Sequence, residues 1–205
     1  MKSELEANFS KELIEPTLDI AQDYAEMGLD YLLSSDIAKE VPIVKTAFAF
    51  FKTGVAIRDR YFVKKLLVFL KEFHSNLSDS DETEAFRKRI DNDPAFRNRV
   101  TEHLLVIIDK LLDAEKAQIL ARLFRAHVHR HLTWDQFVDL SIVLDSLRRE
   151  SQTFLKEIAG TSFWGYHGPD RPGEASLFAA GIATRHGTKF AVTEQGQLLY
   201  TYGLL

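Results

Sequence analysis

The distribution of glycine and proline constrains the fold of this chain more than any other feature. Eight of the ten glycines lie at or after Gly160, and only three of the five prolines precede it. Both residue types interrupt or end helices, so a long stretch that nearly lacks them favours long helices. Apolar residues in that stretch recur at helical spacing. The sequence therefore predicts a mainly α protein, an antiparallel helical bundle with a small C-terminal α+β module.

Charge is distributed unevenly along the chain. Residues 1–40 hold three Lys and ten Asp or Glu, a net charge of −7, whereas residues 41–75 hold seven Lys or Arg and two acids, a net charge of +5. With the change in glycine content, this indicates three segments. They are an acidic N-terminal helical segment 1–40, a helical bundle 41–159 and a winged-helix-like α+β tail 160–205.

Local signals place several helices in this scheme. Pro16 lies in the first turn of a predicted helix that runs to about residue 33. Asp93 is the predicted N-cap of a later helix, and Pro94 takes its first helical position. The stretch SNLSDSDETE before them is interpreted as a polar break. Thr133 and Gln136 have the spacing of a capping box, which predicts a helix running through Ile158.

The composition of the chain and its predicted secondary structure change after Gly160. TSFWGYHGPDRPGE is typical of a loop, and β-like runs at 182–185 and 189–192 precede a helix that Thr193 caps. This order over about residues 177–204 resembles the C-terminal half of a winged helix. The resemblance implies candidate nucleic-acid contacts at Arg185 and Lys189. Residues 161–205 contain three basic and three acidic residues, and this neutral balance disfavours nucleic-acid binding.

The sequence offers little support for catalysis or metal binding. It has no cysteine, which excludes disulfides, thiol nucleophiles and iron–sulfur clusters, and it lacks the glycine-rich phosphate and nucleophile motifs. His127, His129 and His131 look like a metal-binding tract, but His127 falls on an apolar helix face and Arg125 and Arg130 disfavour a cation. We therefore predict no catalytic residue, no metal and no cofactor.

One loop could hold a small ligand. Its candidate residues are two aromatic side chains able to stack and two polar ones close in sequence: Trp164, Tyr166, His167 and Asp170. A rigid, proline-containing connector explains the same composition and is the favoured interpretation.

Two stretches carry a resemblance to known proteins, VPIVKTAFAFFKTGVAIRDRYFVKKLLVFLKEF and AQILARLFRAHVHRHLTWDQFVDLS. Together they resemble a family of mostly uncharacterised bacterial helical proteins, and the basic stretch is weakly similar to abortive-infection alpha-type phage-defence proteins. The resemblance implies a bacterial cytoplasmic protein with a role in antiviral defence, and it implies no catalytic residues.

The basic stretch 43–73 is the predicted interaction surface. Its phenylalanines cannot all face one way on a helix, so some should meet the core while others meet a partner. The residues predicted to form the surface are Lys45, Phe48, Phe51, Lys52, Arg58, Arg60, Lys64, Lys65 and Lys71. The leading hypothesis is a non-enzymatic protein that acts through protein–protein contacts and self-association as a homo-oligomer.

Two other functions stay open at this stage. The same lysines could meet an anionic membrane, which would make the protein a peripheral membrane effector. The tail could instead make it a winged-helix DNA-binding regulator. The acidic first residues lack the apolar run of a signal peptide, so we expect a cytoplasmic protein, with peripheral attachment to the inner membrane as the alternative.

Overall fold

The computed structural model describes residues 2–15, 42–50, 57–159, 166–167, 173–187 and 189–205. These residues are mainly helical, with a small antiparallel sheet near the C-terminus. The predicted fold class, a helical bundle with a small C-terminal α+β module, is confirmed. The chain divides into two compact units, Met1–Ala121 and Arg122–Leu205, called unit 1 and unit 2 below.

Unit 1 is helical throughout its described part. Its helices are α1 (Lys2–Ile14), α2 (Pro42–Phe50), α3 (Ile57–Ser75), α4 (Asp81–Asn92) and α5 (Pro94–Lys110), and α6 (Ala114–Val128) begins in unit 1 and ends in unit 2. The predicted helix that starts at Pro16 lies outside the described residues.

The predicted start of α5 is confirmed, but the polar break before it is partly wrong. Asp93 accepts a hydrogen bond from the backbone N–H of Phe96 at 2.9 Å, as an N-cap does. Residues 81–84, assigned to the break, form the first turn of α4, where Ser80 is the N-cap. Three acids in that turn complement the helix dipole.

The core of unit 1 surrounds α3. Phe9 of α1 lies against Phe69, with ring centroids 6.1 Å apart, and Phe69 stacks on Phe73. The buried positions form one broad face of the helix: Phe62, Val63, Leu66, Leu67, Phe69, Leu70 and Phe73. Because this face is in the core, little of the apolar surface of α3 is left for a partner.

Unit 2 contains α7 (Trp134–Ser146), α8 (Arg149–Ala159), α9 (Glu174–Ala179), α10 (Glu194–Leu199) and a C-terminal π-helical turn (Tyr200–Leu204). The capping box of Thr133 and Gln136 is present at the start of α7. The predicted single helix through Ile158 is wrong, because the chain is extended at Leu147 (ψ 132°) and α8 begins two residues later.

Three short strands complete unit 2. They are β1 (Tyr166–His167), β2 (Ala183–His186) and β3 (Lys189–Val192), and β3 lies between the other two with antiparallel pairing on both sides. The predicted hairpin is therefore confirmed, followed by α10 with Thr193 as its N-cap. Residues 166–167, predicted as loop, instead form an edge strand.

The packing of α8 differs from the predicted division near residue 160. Phe154 of α8 contacts Phe190 of β3 at 5.3 Å between centroids, and Ser151 Oγ donates to the carbonyl of Gly173 at 3.1 Å. α8 therefore shares a core with the α+β elements, and the structural division falls between Ala121 and Arg122.

Candidate functional site

The predicted interaction residues on α2 are only partly described. Lys45 is exposed on this helix, whose other face buries Ile43, Val44 and Ala47. Phe48 belongs to the same helix, although its side chain is not described. Phe51 and Lys52 lie outside the described residues.

The basic residues predicted on α3 do not all lie on the same side of the helix. Arg58 and Arg60 are exposed, and Lys64 and Lys71 are half-buried. Arg58 Nη2 lies 2.7 Å from Asp109 Oδ2 in a solvent-exposed ion pair.

Lys65 is the exception, and its assignment to an interaction surface is wrong. Only 5% of this residue is exposed. Its Nζ donates to the carbonyl of Asp109 at 2.8 Å and to that of Leu111 at 2.6 Å. The last carbonyls of a helix have no partner within the helix, so the Lys65 ammonium stabilises the C-terminal end of α5.

The phenylalanines of α3 are likewise absent from its surface. Phe62, Phe69 and Phe73 are each at most 3% exposed, and they fill the core of unit 1. The outward-facing apolar residues of this helix are Tyr61, which is 51% exposed, and the half-buried Val68.

These positions define a continuous row that we call the α3 outer face: Arg60, Tyr61, Lys64, Val68 and Lys71. Positions 60, 64 and 71 are spaced by four and seven residues, and positions 61 and 68 by seven, so both sets lie on one side of the helix. Arg60 and Lys71 form no ion pair within the part of the chain that the structure describes. The sequence pattern predicted the cations of this face but not Tyr61 and Val68, although the seven-residue spacing of these two residues was a signal.

Arg185, a predicted nucleic-acid contact, forms an ion pair within unit 2. Its Nη1 lies 2.7 Å from Oε1 of Glu174, a residue that is 4% exposed, and its Nε donates to the carbonyl of Gly187. Moving this guanidinium to a phosphate would break its ion pair with a buried carboxylate. Lys189 lies on β3, and its side chain is not described.

The candidate ligand loop is described only at Tyr166 and His167, which form β1. Their side chains are not described, and Trp164 and Asp170 lie outside the described residues. The prediction of a ligand loop therefore lies largely outside the described residues.

The histidine tract forms ring contacts in unit 2. His127 Nδ1 lies 3.0 Å from the carbonyl of Leu132, and its ring contacts those of Trp134 and Phe137. The ring of His131 stacks on Tyr202, with centroids 5.4 Å apart. Over the described ranges, no group of three or more His, Cys, Asp or Glu side chains could hold a metal ion.

His74 joins two distant parts of unit 1. Its Nε2 lies 2.8 Å from the carbonyl oxygen of Glu12, so the nitrogen carries the proton and donates it. Burial lowers the pKa of His74 below its ordinary value of 6.5, the hydrogen bond to Glu12 opposes this, and Arg87 lowers it further. The pKa of His103 is also lowered, by burial and by Lys110.

These lowered pKa values predict a loss of stability in mild acid. The unfolded chain takes up protons as pH falls through 6.5, whereas the folded chain resists protonation, so the free energy of unfolding should fall below that pH. The slope should be at most about 1.4 kcal/mol per pH unit for each histidine. Urea unfolding followed by circular dichroism between pH 7.5 and 5.5 measures this effect.

The matched variant for this prediction is His74→Gln, whose amide can still donate to the Glu12 carbonyl but cannot be protonated. Its unfolding free energy should depend less steeply on pH than that of the wild type. An unchanged slope would show that His74 does not contribute to the pH dependence.

Comparison with known proteins adds no identification. No family model, curated protein or solved structure matches this chain. None of the described helices is long and apolar enough to cross a membrane. The exposed residues of the chain are therefore the basis for its proposed function.

Proposed function

We propose that this chain is a non-enzymatic interaction protein that self-associates through the α3 outer face. The observation that supports the proposal is the combination on one helix of a buried phenylalanine face and an outer row of cations around Tyr61. Tyrosine and arginine are among the residues enriched at protein interfaces, so Arg60 and Tyr61 form its main contact.

Charge complementarity supports a second copy of the chain as the partner. The row contains three cations, whereas the whole chain has a net charge of −4. Each copy therefore supplies acidic surface that can meet the row of another copy. A basic row would repel itself, so two copies must meet through different surfaces.

The size of the row predicts weak association. Complete burial of a side chain such as that of Tyr61 contributes roughly 1.5–3 kcal/mol, and an exposed ion pair contributes about 0.2–1 kcal/mol. Association costs about 4–15 kcal/mol in lost freedom of motion. Because these contributions barely exceed the lower end of that cost, we expect self-association only at high protein concentration, and we expect added salt to weaken it.

A protein partner agrees better with this geometry than a membrane does. Interfacial helices insert an apolar face into the lipid, whereas Phe62, Phe69 and Phe73 of α3 are in the core. The carboxylate of Asp109 also accompanies Arg58 at the edge of the row, where it would repel lipid phosphates.

The direct test is Tyr61→Glu. The substitution places a carboxylate among the cations and removes the aromatic ring of Tyr61, so the association constant should fall about tenfold or more. Sedimentation velocity over a range of protein concentrations, at low and high salt, measures the change.

Val106→Glu is the control, since Val106 is a similarly exposed helical residue of unit 1, at 47% against 51% for Tyr61. This variant should associate like the wild type. Equal weakening by both substitutions, or a wild type that stays monomeric at every concentration, would contradict the proposal. Salt-sensitive flotation of such a monomer with anionic vesicles would instead support the membrane alternative.

The role in antiviral defence remains a prediction that depends on the sequence resemblance. It fits a non-enzymatic protein that assembles, and it does not alter the proposed surface. Cytoplasmic location is likewise a prediction from the sequence.

A further inference from the structure

Unit 2 has an exposed helix face of the opposite charge. Asp135, Asp139, Ile142 and Ser146 are all exposed on α7, at spacings of four, three and four residues that place them on one side of the helix. We call this row the α7 outer face. The opposite side of α7 is buried through Phe137, Leu140 and Leu144.

Local structure does not account for this face. Asp135 lies in the first turn of α7, where a carboxylate stabilises the helix dipole, but Asp139 lies one turn further on. Neither carboxylate forms a hydrogen bond or ion pair with any residue that the structure describes. Ile142 is 57% exposed beside them and adds an apolar surface to the acidic row.

We propose that the α7 outer face of one copy is the surface that the α3 outer face of another copy binds. This inference depends on the proposed self-association and names the complementary surface. With the two helices antiparallel, Lys64 and Lys71 would lie opposite Asp139 and Asp135, respectively, and Tyr61 would cover Ile142.

The dimensions of the two faces match. Positions 60 to 71 on α3 and positions 135 to 146 on α7 each cover eleven residue steps, or about 16 Å of helix. Each row also combines charged and apolar side chains, so an apolar residue of one can be covered while its charged neighbours form ion pairs.

A contact between two different faces has a consequence for the assembly. Every copy carries one face of each kind, so the contact is head-to-tail, and it produces a ring or an open chain of copies. The average mass should therefore keep rising with concentration until a ring closes.

Charge reversal on each face tests the inference. The variants are Lys64→Glu with Lys71→Glu on α3, and Asp135→Lys with Asp139→Lys on α7. Each double variant alone should self-associate about tenfold or more weakly than the wild type, because like charges would then face each other. An equimolar mixture of the two should associate again as alternating copies, because the α3 face of each variant is complementary in charge to the α7 face of the other. All four substitutions in one chain should restore self-association.

The control for the α7 variant is Glu150→Lys with Glu194→Lys, which makes the same change in charge at two exposed first-turn acids of unit 2. It should leave association unchanged. Circular dichroism and tryptophan fluorescence establish that each variant is folded.

The results separate this inference from the proposed function. If the α3 variant is monomeric while the α7 variant associates like the wild type, the α7 face is excluded and self-association through α3 stands. If both variants associate like the wild type, both proposals are wrong. If the α7 variant and its control weaken association equally, the effect is one of net charge and the inference is overturned.

Discussion

Gly173→Ala should destabilise unit 2 by about 2–5 kcal/mol, the sum of left-handed backbone strain and overpacking. Gly173 has a φ of 90°, which side chains other than hydrogen rarely tolerate. An added Cβ would lie 2.6 Å from the backbone nitrogen of Ser151 and 2.7 Å from its Cα. Because these atoms belong to α8, the clash cannot be relieved by rotating a side chain.

Gly187→Ala separates the two contributions. Gly187 also has a left-handed φ, 63°, but the structure describes no atom within 4 Å of an added Cβ. Its substitution should cost only the strain, about 1–2 kcal/mol. Trp134 belongs to unit 2, and residues 1–121 contain no tryptophan, so tryptophan fluorescence during urea unfolding reports this unit. Equal destabilisation by the two substitutions would show that Gly173 does not require close contact with α8.

Local signals predicted the helix starts well, because an N-cap depends on residues three positions apart. The caps at Asp93, Thr133 and Thr193 are all present. The start of α4 was missed although Ser80 and the acids after it have the same kind of pattern. The polar composition of that stretch obscured the two buried apolar residues of α4, Phe86 and Ile90, which are four positions apart.

Breaks that depend on tertiary structure were not predictable. No glycine or proline marks the end of α7, and the apolar spacing continues from Leu144 through Leu147. Leu147 is 1% exposed, so burial holds it in an extended conformation that local propensity does not indicate. The sharing of a core between α8 and β3 depends on the same kind of long-range contact.

The candidate surface shows the same limit at two neighbouring residues. Lys64 and Lys65 are adjacent, chemically identical residues. The sequence shows that both belong to a basic stretch. Only the position of the α5 C-terminus shows that Lys65 points inward while Lys64 remains on the outer face. Composition therefore predicted a basic helix, and tertiary packing decided which cations remain accessible.

Lys65→Met should destabilise unit 1 by about 2–4 kcal/mol, because two carbonyls at the end of α5 would lose a charged donor. Methionine keeps most of the aliphatic stem, so the loss reports the ammonium rather than a cavity. Urea unfolding followed by circular dichroism measures the global effect. Hydrogen exchange of peptides covering the last turn of α5 should show faster exchange there than in the wild type.

Lys71→Met is the control, since Lys71 lies on the same helix, is half-buried and has no ion pair with the described residues. It should change the free energy of unfolding by no more than about 0.5 kcal/mol. If Lys65→Met were equally mild, the cost of removing the ammonium from water would cancel its hydrogen bonds, as occurs for some buried charges. Lys65 would then fix the position of α5 without stabilising it, and exchange in the last turn would be the only property to change.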